Sequence, residues 1–158
     1  DRIVHGDPKI SNVVFKARSP EALCLIDLDT LTTMPLPLEL GDAFRSWCNP
    51  EGEDTTDVQF SLALFEAAVE GYASSAASMT ETEWRSIVPA AQVILVELAA
   101  RFCVDALNER YFGWDPQRFA TRGEHNEVRA AGQLAVARSL LAQYDQAQAI
   151  VERAFGSR

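Results

Sequence analysis

Lysine is nearly missing from this chain: among its 158 residues only Lys9 and Lys16 are lysines, and the other twelve basic residues are arginines. Any mechanism that needs a lysine in the later part of the chain is therefore excluded. Histidine is also scarce. His5 and His125 are the only two, too far apart in sequence to suggest a zinc site. The three cysteines, Cys24, Cys48 and Cys103, are odd in number and scattered, with no Cys-x-x-Cys pair. They read as reduced, mostly buried thiols of a cytoplasmic protein. A basic surplus is absent too. The formal net charge of -9 argues against a nucleic-acid partner, which needs a positive face. It leaves phosphate chemistry open, because a divalent metal brings its own positive charge. No uninterrupted apolar run reaches the roughly 18–20 residues of a membrane span. The richest stretch, Ile87 to Leu107, is interrupted by Gln92, Glu97, Arg101 and Asp105, so no membrane partner is expected.

Apolar side chains make up 47% of the sequence, enough for a core and against disorder. The expectation is one domain over residues 1–158, mainly helical in an α+β arrangement. Its first fifty residues hold five of the seven prolines and short β-like runs at Ile3-Val4, Val13-Val14-Phe15 and Leu23-Cys24-Leu25-Ile26. From about residue 57 the pattern turns helical. Val58, Leu62, Phe65, Val69, Tyr72 and Ala76 form one stripe, with Asp57 as the N-cap. Thr80-Glu81-Thr82-Glu83 reads as a capping box. It leads into a central helix with Ile87, Ala91, Ile94, Leu95, Leu98, Phe102 and Ala106 inward. Pro89 either kinks that helix or marks its start, and Gly113-Trp114-Asp115-Pro116 ends it. A third long helix is expected from about Glu124 to Phe155, with Val128, Ala131, Leu134, Leu141, Tyr144, Val151 and Phe155 near one face. The polar segment Asn49 to Thr56 is a loop. Residues 57–155 are thus the scaffold, and the front loops are where chemistry belongs.

Those loops carry a constellation of oxygen ligands. Residues 5–12 read His-Gly-Asp-Pro-Lys-Ile-Ser-Asn, and Asp27 follows in Leu25-Ile26-Asp27-Leu28-Asp29. Phosphoryl transfer needs one carboxylate to orient the acceptor hydroxyl and take its proton. It also needs a carboxylate and an amide oxygen to hold Mg²⁺ against a triphosphate. Asp7, Asn12 and Asp27 have those chemistries, and a short hairpin between Asn12 and Asp27 would fold the second Asp back beside the loop.

His5-Gly6-Asp7-x-x-x-x-Asn12 resembles the catalytic loop of the aminoglycoside phosphotransferase/choline kinase-like family, the counterpart of H-R-D-x-x-x-x-N in protein kinases. Ile26-Asp27-Leu28-Asp29 is similar to that family's metal-binding element. Leu40-Gly41-Asp42-Ala43 resembles the helix start that follows it. The wording of these motifs is most similar to an N-acetylhexosamine 1-kinase-like branch. The resemblance implies a protein-kinase-like C-terminal lobe, with small β-hairpins around the catalytic loop and long helices behind. It implies ATP as phosphoryl donor, Mg²⁺ as cofactor, and a small hydroxyl-bearing acceptor such as a sugar, amino sugar, aminoglycoside or choline-like molecule. By the same resemblance Asp7 is the catalytic base and Asn12 and Asp27 are metal ligands, with Asp29 joining them or standing behind them. His5 packs the loop, and Asp42, buried, hydrogen-bonds the loop backbone. Lys9 and Arg45 are the candidates for substrate contact. The N-terminal nucleotide lobe, with its phosphate-gripping lysine, is absent from these residues. The expectation is a fragment with little activity alone, whose exposed lobe face is covered by that missing lobe or by a dimer partner.

Blander readings exist for each residue. Asp7 and Asn12 could form simple Asx-turns, Asp29 could cap a strand end, and Asp42 could be the N-cap of a helix over 43–48. Lys9 is by default an exposed lysine. Trp47, Trp84 and Trp114 could stack a sugar or simply pack. Two other functions compete. One is an inactive pseudokinase or helical interaction module. The other is a haloacid-dehalogenase-type phosphatase with Asp27 as nucleophile and Asp29 as acid/base. The second would need alternating strands and helices and a downstream lysine.

Overall fold

A computed structural model describes residues 1–75 and 78–156. The chain is mostly helical with two small two-stranded sheets. Strand β1 (Arg2–Val4) pairs antiparallel with β4 (Thr32–Met34), and β2 (Val13–Phe15) pairs antiparallel with β3 (Ala22–Leu25). Single 3-10 turns sit at Ile10–Asn12 and Leu28–Thr30. The outer pair closes residues 1–34 into one double loop. The inner pair sets Val13 opposite Leu25. Asn12 and Ile26 are the residues just outside that pair, and the Ile26 amide donates to the Asn12 carbonyl at 3.0 Å. Fourteen residues of sequence separation thus collapse to one backbone contact, which brings Asp27 back beside the loop as the hairpin was expected to do.

Six helices follow among the described residues: α1 (Leu36–Trp47), α2 (Leu62–Ser75), α3 (Glu81–Arg85), α4 (Ile87–Asn108), α5 (Arg122–Ala142) and α6 (Tyr144–Phe155). Every described element after β4 is helical, which removes the phosphatase reading, since that fold alternates strands with helices. Helix α4 is central and packs against α1 on one side and α5 on the other, while α6 closes over α2 and α3. The expected inward residues Ile87, Ala91, Leu95, Leu98 and Phe102 of α4 are buried. Gly41 is why α1 and α4 can touch. A methyl group there would lie 2.9 Å from the backbone of Ala90 and Ala91, so the contact is backbone on backbone. Beside it Phe44 is fully buried, edge-on to Phe65 at 5.1 Å and to Trp47 at 6.1 Å.

Several boundaries differ from expectation. Asp57 is exposed in the loop, and α2 starts five residues later behind Ser61, whose hydroxyl and carbonyl accept from Leu64 and Phe65. Phe65 and Val69 lie inward as expected, and Ala76 falls outside the described residues. The capping box at Thr80 and Glu83 is present, but it opens the short α3. The chain then turns at Ser86, and Pro89 lies in the first turn of α4, where its missing N–H is harmless. Helix α4 ends at Asn108 with Glu109 in the left-handed region, before Gly113. The long third helix is two, broken at Gln143. The face of α5 also differs: Ala130, Val136, Ala137 and Leu140 are buried, while Ala131, Leu134 and Leu141 face outward. The buried face of α5 takes Leu140 together with small residues, and leaves Leu134 and Leu141 outside. Helix α4 is, by length and composition, apolar enough to cross a membrane in spite of its interrupting polar residues; its inward face forms the core. The cysteines depart from expectation as well. Only Cys48 is buried, its thiol pushed up to about 12 by loss of solvent. Cys24 sits on β3, exposed on both faces, and Cys103 lies on the outward side of α4.

Candidate active site

Helix α1 holds the loop of residues 5–12 from below. Glu39 is buried and accepts two backbone donors with its two oxygens, the His5 N–H at 2.9 Å and the Gly6 N–H at 3.0 Å. Two turns further along, the Ser46 hydroxyl accepts the Ile10 N–H at 3.0 Å, and the Trp47 indole donates to the Pro8 carbonyl at 2.8 Å. Residues 39, 46 and 47 are seven and eight apart, so they share one helix face. Three polar groups on that face fix four points of one loop. This overturns the role expected for Asp42. Asp42 lies inside α1, neither its N-cap nor the loop's holdfast, and it pairs with Arg45 at 2.8 Å. Glu39, one turn earlier, holds the backbone. Trp47 packs and donates.

His5 locks the loop to the Asp27 segment. Its Nε2 donates to the Ile26 carbonyl at 2.8 Å, and its Nδ1 accepts the Asp7 N–H at 3.3 Å. Both ring nitrogens are used in packing the loop. Gly6 has φ +85, and a methyl group there would sit 2.2 Å from the Thr30 carbonyl oxygen. Only glycine allows the loop to pass so near that turn. Thr30 answers with its hydroxyl, donating to the His5 carbonyl at 2.8 Å.

Asp7 projects from this frame with a quarter of its side chain exposed. Its Oδ2 accepts from the Lys9 ammonium and from Asn12 Nδ2, the latter at 3.1 Å; Asn12 Nδ2 also donates to the Asp7 carbonyl at 2.8 Å. Asn12 is buried, and its amide nitrogen is committed to Asp7. The Lys9 pKa is raised first by the bond to Asp7, against some loss of solvent, with further attraction from Asp7, Asp27 and Glu53. That ammonium therefore feels both carboxylates of the motif at once. Asp27 is exposed, with φ 68 and ψ 49, a left-handed conformation that aspartate tolerates better than most residues. Asp29 is exposed in the 3-10 turn beyond it.

A cleft of about 780 Å³ opens beside Asp7. Gly6, Asp7, Lys9 and Thr30 line one end, Asp42, Arg45 and Glu53 the floor, and Glu97, Arg101, Phe102, Tyr111 and Phe112 the far wall. Asn12, Asp27 and Asp29 stand outside this wall, so the motif residues adjoin the cleft without all facing into it. Arg45 is buried beneath the cleft. Loss of solvent would lower its pKa, but Asp42 and Glu53, both hydrogen-bonded to it, raise it overall. The loop carrying Glu53 is anchored by Asp54, which accepts from His125 Nε2 and Arg129 Nε, each at 2.8 Å. Burial would raise the Asp54 pKa, and these two partners pull it below the ordinary value. Asp105, buried in α4, fixes the opposite wall. It accepts the consecutive N–H groups of Arg110, Tyr111 and Phe112 at 2.9, 2.8 and 2.9 Å. Against its burial, these bonds hold its carboxyl below the usual range. Glu39, Asp54 and Asp105 were not singled out from the sequence. Glu39 alone left a signal, its spacing to Ser46 and Trp47.

A mainly helical lobe, with one helix gripping a polar loop that presents a fixed aspartate at a cleft, is the class of structure these observations define. The family model of the phosphotransferase enzyme family matches residues 1–78. The matched segment holds the loop, the Asp27 turn and all of α1, and the match is of the aminoglycoside phosphotransferase/choline kinase-like kind.

Proposed function

We propose that this chain carries the acceptor side and the metal side of an ATP- and Mg²⁺-dependent phosphotransferase acting on a hydroxyl of a small polar molecule. The observation that carries the reading is Asp7, fixed by Lys9 and Asn12 at the mouth of a cleft, within the segment that matches that family. Asp7 accepts the proton of the acceptor hydroxyl as its oxygen bonds to the γ-phosphorus and the bond to the β-phosphate oxygen breaks, leaving ADP. The oriented carboxylate supplies positioning more than proton affinity. Lys9 and Asn12 hold the Asp7 side chain in place at the cleft.

The residues fit Mg²⁺. Magnesium is held by one or two protein oxygens together with water and nucleotide phosphates, seldom by a full protein cage. No cluster of three or more His, Cys, Asp or Glu side chains able to hold a metal occurs among the described residues, so an ion here would take its remaining ligands from water and phosphate. Asn12, its nitrogen committed to Asp7, and the exposed carboxylate of Asp27 are the donors for that role. When bound, the ion neutralises charge on the phosphates. Asp29, further along the turn, would act on the ion through water. The apolar surface around this turn supports a covering partner. Leu23, Leu25, Ile26, Leu28 and Leu31 are all about half exposed beside Asp27, an area suited to a nucleotide-binding lobe.

Transfer of phosphate from ATP to a panel of sugars, choline and aminoglycosides is the test, made on the product of the full reading frame. Asp7→Asn is expected to lower the rate by roughly 10²–10⁴, the scale of a general base. A rate within a few-fold of wild type contradicts the assignment.

A further inference from the structure

We propose that the acceptor is an uncharged polyhydroxylated ring, a sugar rather than a cation, and that Tyr111 is the platform on which it lies. This deepens the phosphotransferase reading and rests on it. Two independent observations carry it.

The first is the charge state of the cleft. The acidic sequence suggests a cationic acceptor, but the carboxylates lining the cleft are engaged within the protein. Asp7 pairs with Lys9. Asp42 and Glu53 share the buried guanidinium of Arg45. Both oxygens of Glu39 hold backbone N–H groups. Glu97 faces Arg101 at 3.8 Å. The lining sets five carboxylates against the four cations Lys9, Arg45, Arg101 and Arg129, so the cleft presents little negative surplus to draw a cationic acceptor. A neutral polyol needs none. Paired carboxylates and guanidinium groups retain acceptor and donor capacity for hydroxyls.

The second is Tyr111. It is 72% exposed at the cleft wall, yet it stands on backbone fixed by three consecutive bonds to Asp105. Its ring is braced edge-on by Phe112 at 4.9 Å, and the Arg101 guanidinium lies over it at 5.6 Å. An exposed aromatic ring on rigid backbone costs little ordering to bind a ligand. Its flat apolar face with a polar rim matches the C–H face of a sugar ring bordered by hydroxyls. Glu97 and Arg101 supply that rim, one accepting and one donating.

Binding to the chain without nucleotide is measured by calorimetry or ligand-observed NMR. The probes are neutral hexoses and their N-acetyl derivatives, glucosamine, choline and an aminoglycoside. Neutral sugars are expected to bind, with affinity insensitive to NaCl. Tyr111→Phe should stay within about twofold, and Tyr111→Ala should lose roughly tenfold or more, about 1.4 kcal/mol. Because Tyr111 is exposed, both variants are expected to keep the wild-type circular dichroism spectrum. Tighter, salt-dependent binding of choline or the aminoglycoside overturns the proposal. So does wild-type affinity in Tyr111→Ala, or failure of every neutral sugar to bind. Nucleotide-free binding can fail while the Asp7-dependent transfer survives, and the reverse, so the two readings are separable.

Discussion

Glu39 illustrates how one buried carboxylate sets the geometry of a loop. Two adjacent N–H groups, those of His5 and Gly6, point at its two oxygens. Neither donor has helix or sheet to satisfy it, because the chain has just left β1. Glutamine in its place keeps one acceptor oxygen and turns an NH₂ toward the second donor. Glu39→Gln is therefore expected to destabilise the fold by about 1–3 kcal/mol, the cost of a buried unpaired donor. Urea unfolding measures this as a lower midpoint at unchanged slope, and a midpoint equal to wild type contradicts it. Arg45 is of the same kind. It was a candidate for substrate contact, but burial with Asp42 and Glu53 makes it the internal counter-ion of the cleft floor.

Between elements, a long-range polar tie runs from β1 to α3. Arg2 donates to both oxygens of Glu83, each at 2.8 Å, across 81 residues. The same carboxylate accepts the Thr80 N–H in the capping box. Glu83 thus closes the edge strand of the catalytic double loop onto the helical scaffold. Its pKa is held down at about 2, first by Arg2 and then by Thr80. The folded value lies below the unfolded one. Its stabilising contribution is therefore complete above the ordinary glutamate pKa of about 4.3 and is lost as pH falls toward 2. The pair is partly solvated, so its contribution is small. Arg2→Ala should release the Glu83 pKa upward toward the ordinary value, read by NMR titration of the side-chain carboxyl carbon. An unmoved pKa would assign the shift to Thr80 alone.

At the scale of the whole molecule, the chain divides into a gripping helix, a fixed loop and a far wall. The grip was only partly legible in the sequence. The motif residues His5, Asp7, Asn12 and Asp27 could be read because their chemistry is local. The hairpin between Val13 and Leu25 could be read because short β-rich runs flank a turn. The central face of α4 was legible from its period. Asp105 and Asp54 were not, because an acidic residue in an apolar helix or a polar loop looks solvated until its backbone partners are placed. Leu134 and Leu141 misled for the converse reason: a leucine stripe suggests a core, but the buried face of α5 takes Leu140 together with small residues. The break at Gln143 carries no glycine or proline to announce it. Asp42 misled because a motif fixes residue order, while one turn of helix decides which carboxylate points at the loop.

The central claim is that Asn12 and Asp27 form the metal face of a phosphoryl-transfer site whose base is Asp7. Manganese, a paramagnetic stand-in for magnesium with the same oxygen preference, tests it most directly. With Mn²⁺ and ATP added to the isotope-labelled chain, backbone signals of Asn12, Ile26 and Asp27 are expected to broaden first. Asp27→Asn should abolish that broadening while the distant α5 signals stay sharp in both proteins. Broadening centred on another acidic cluster, such as Asp54 and Glu53, or unchanged in Asp27→Asn, would contradict the account.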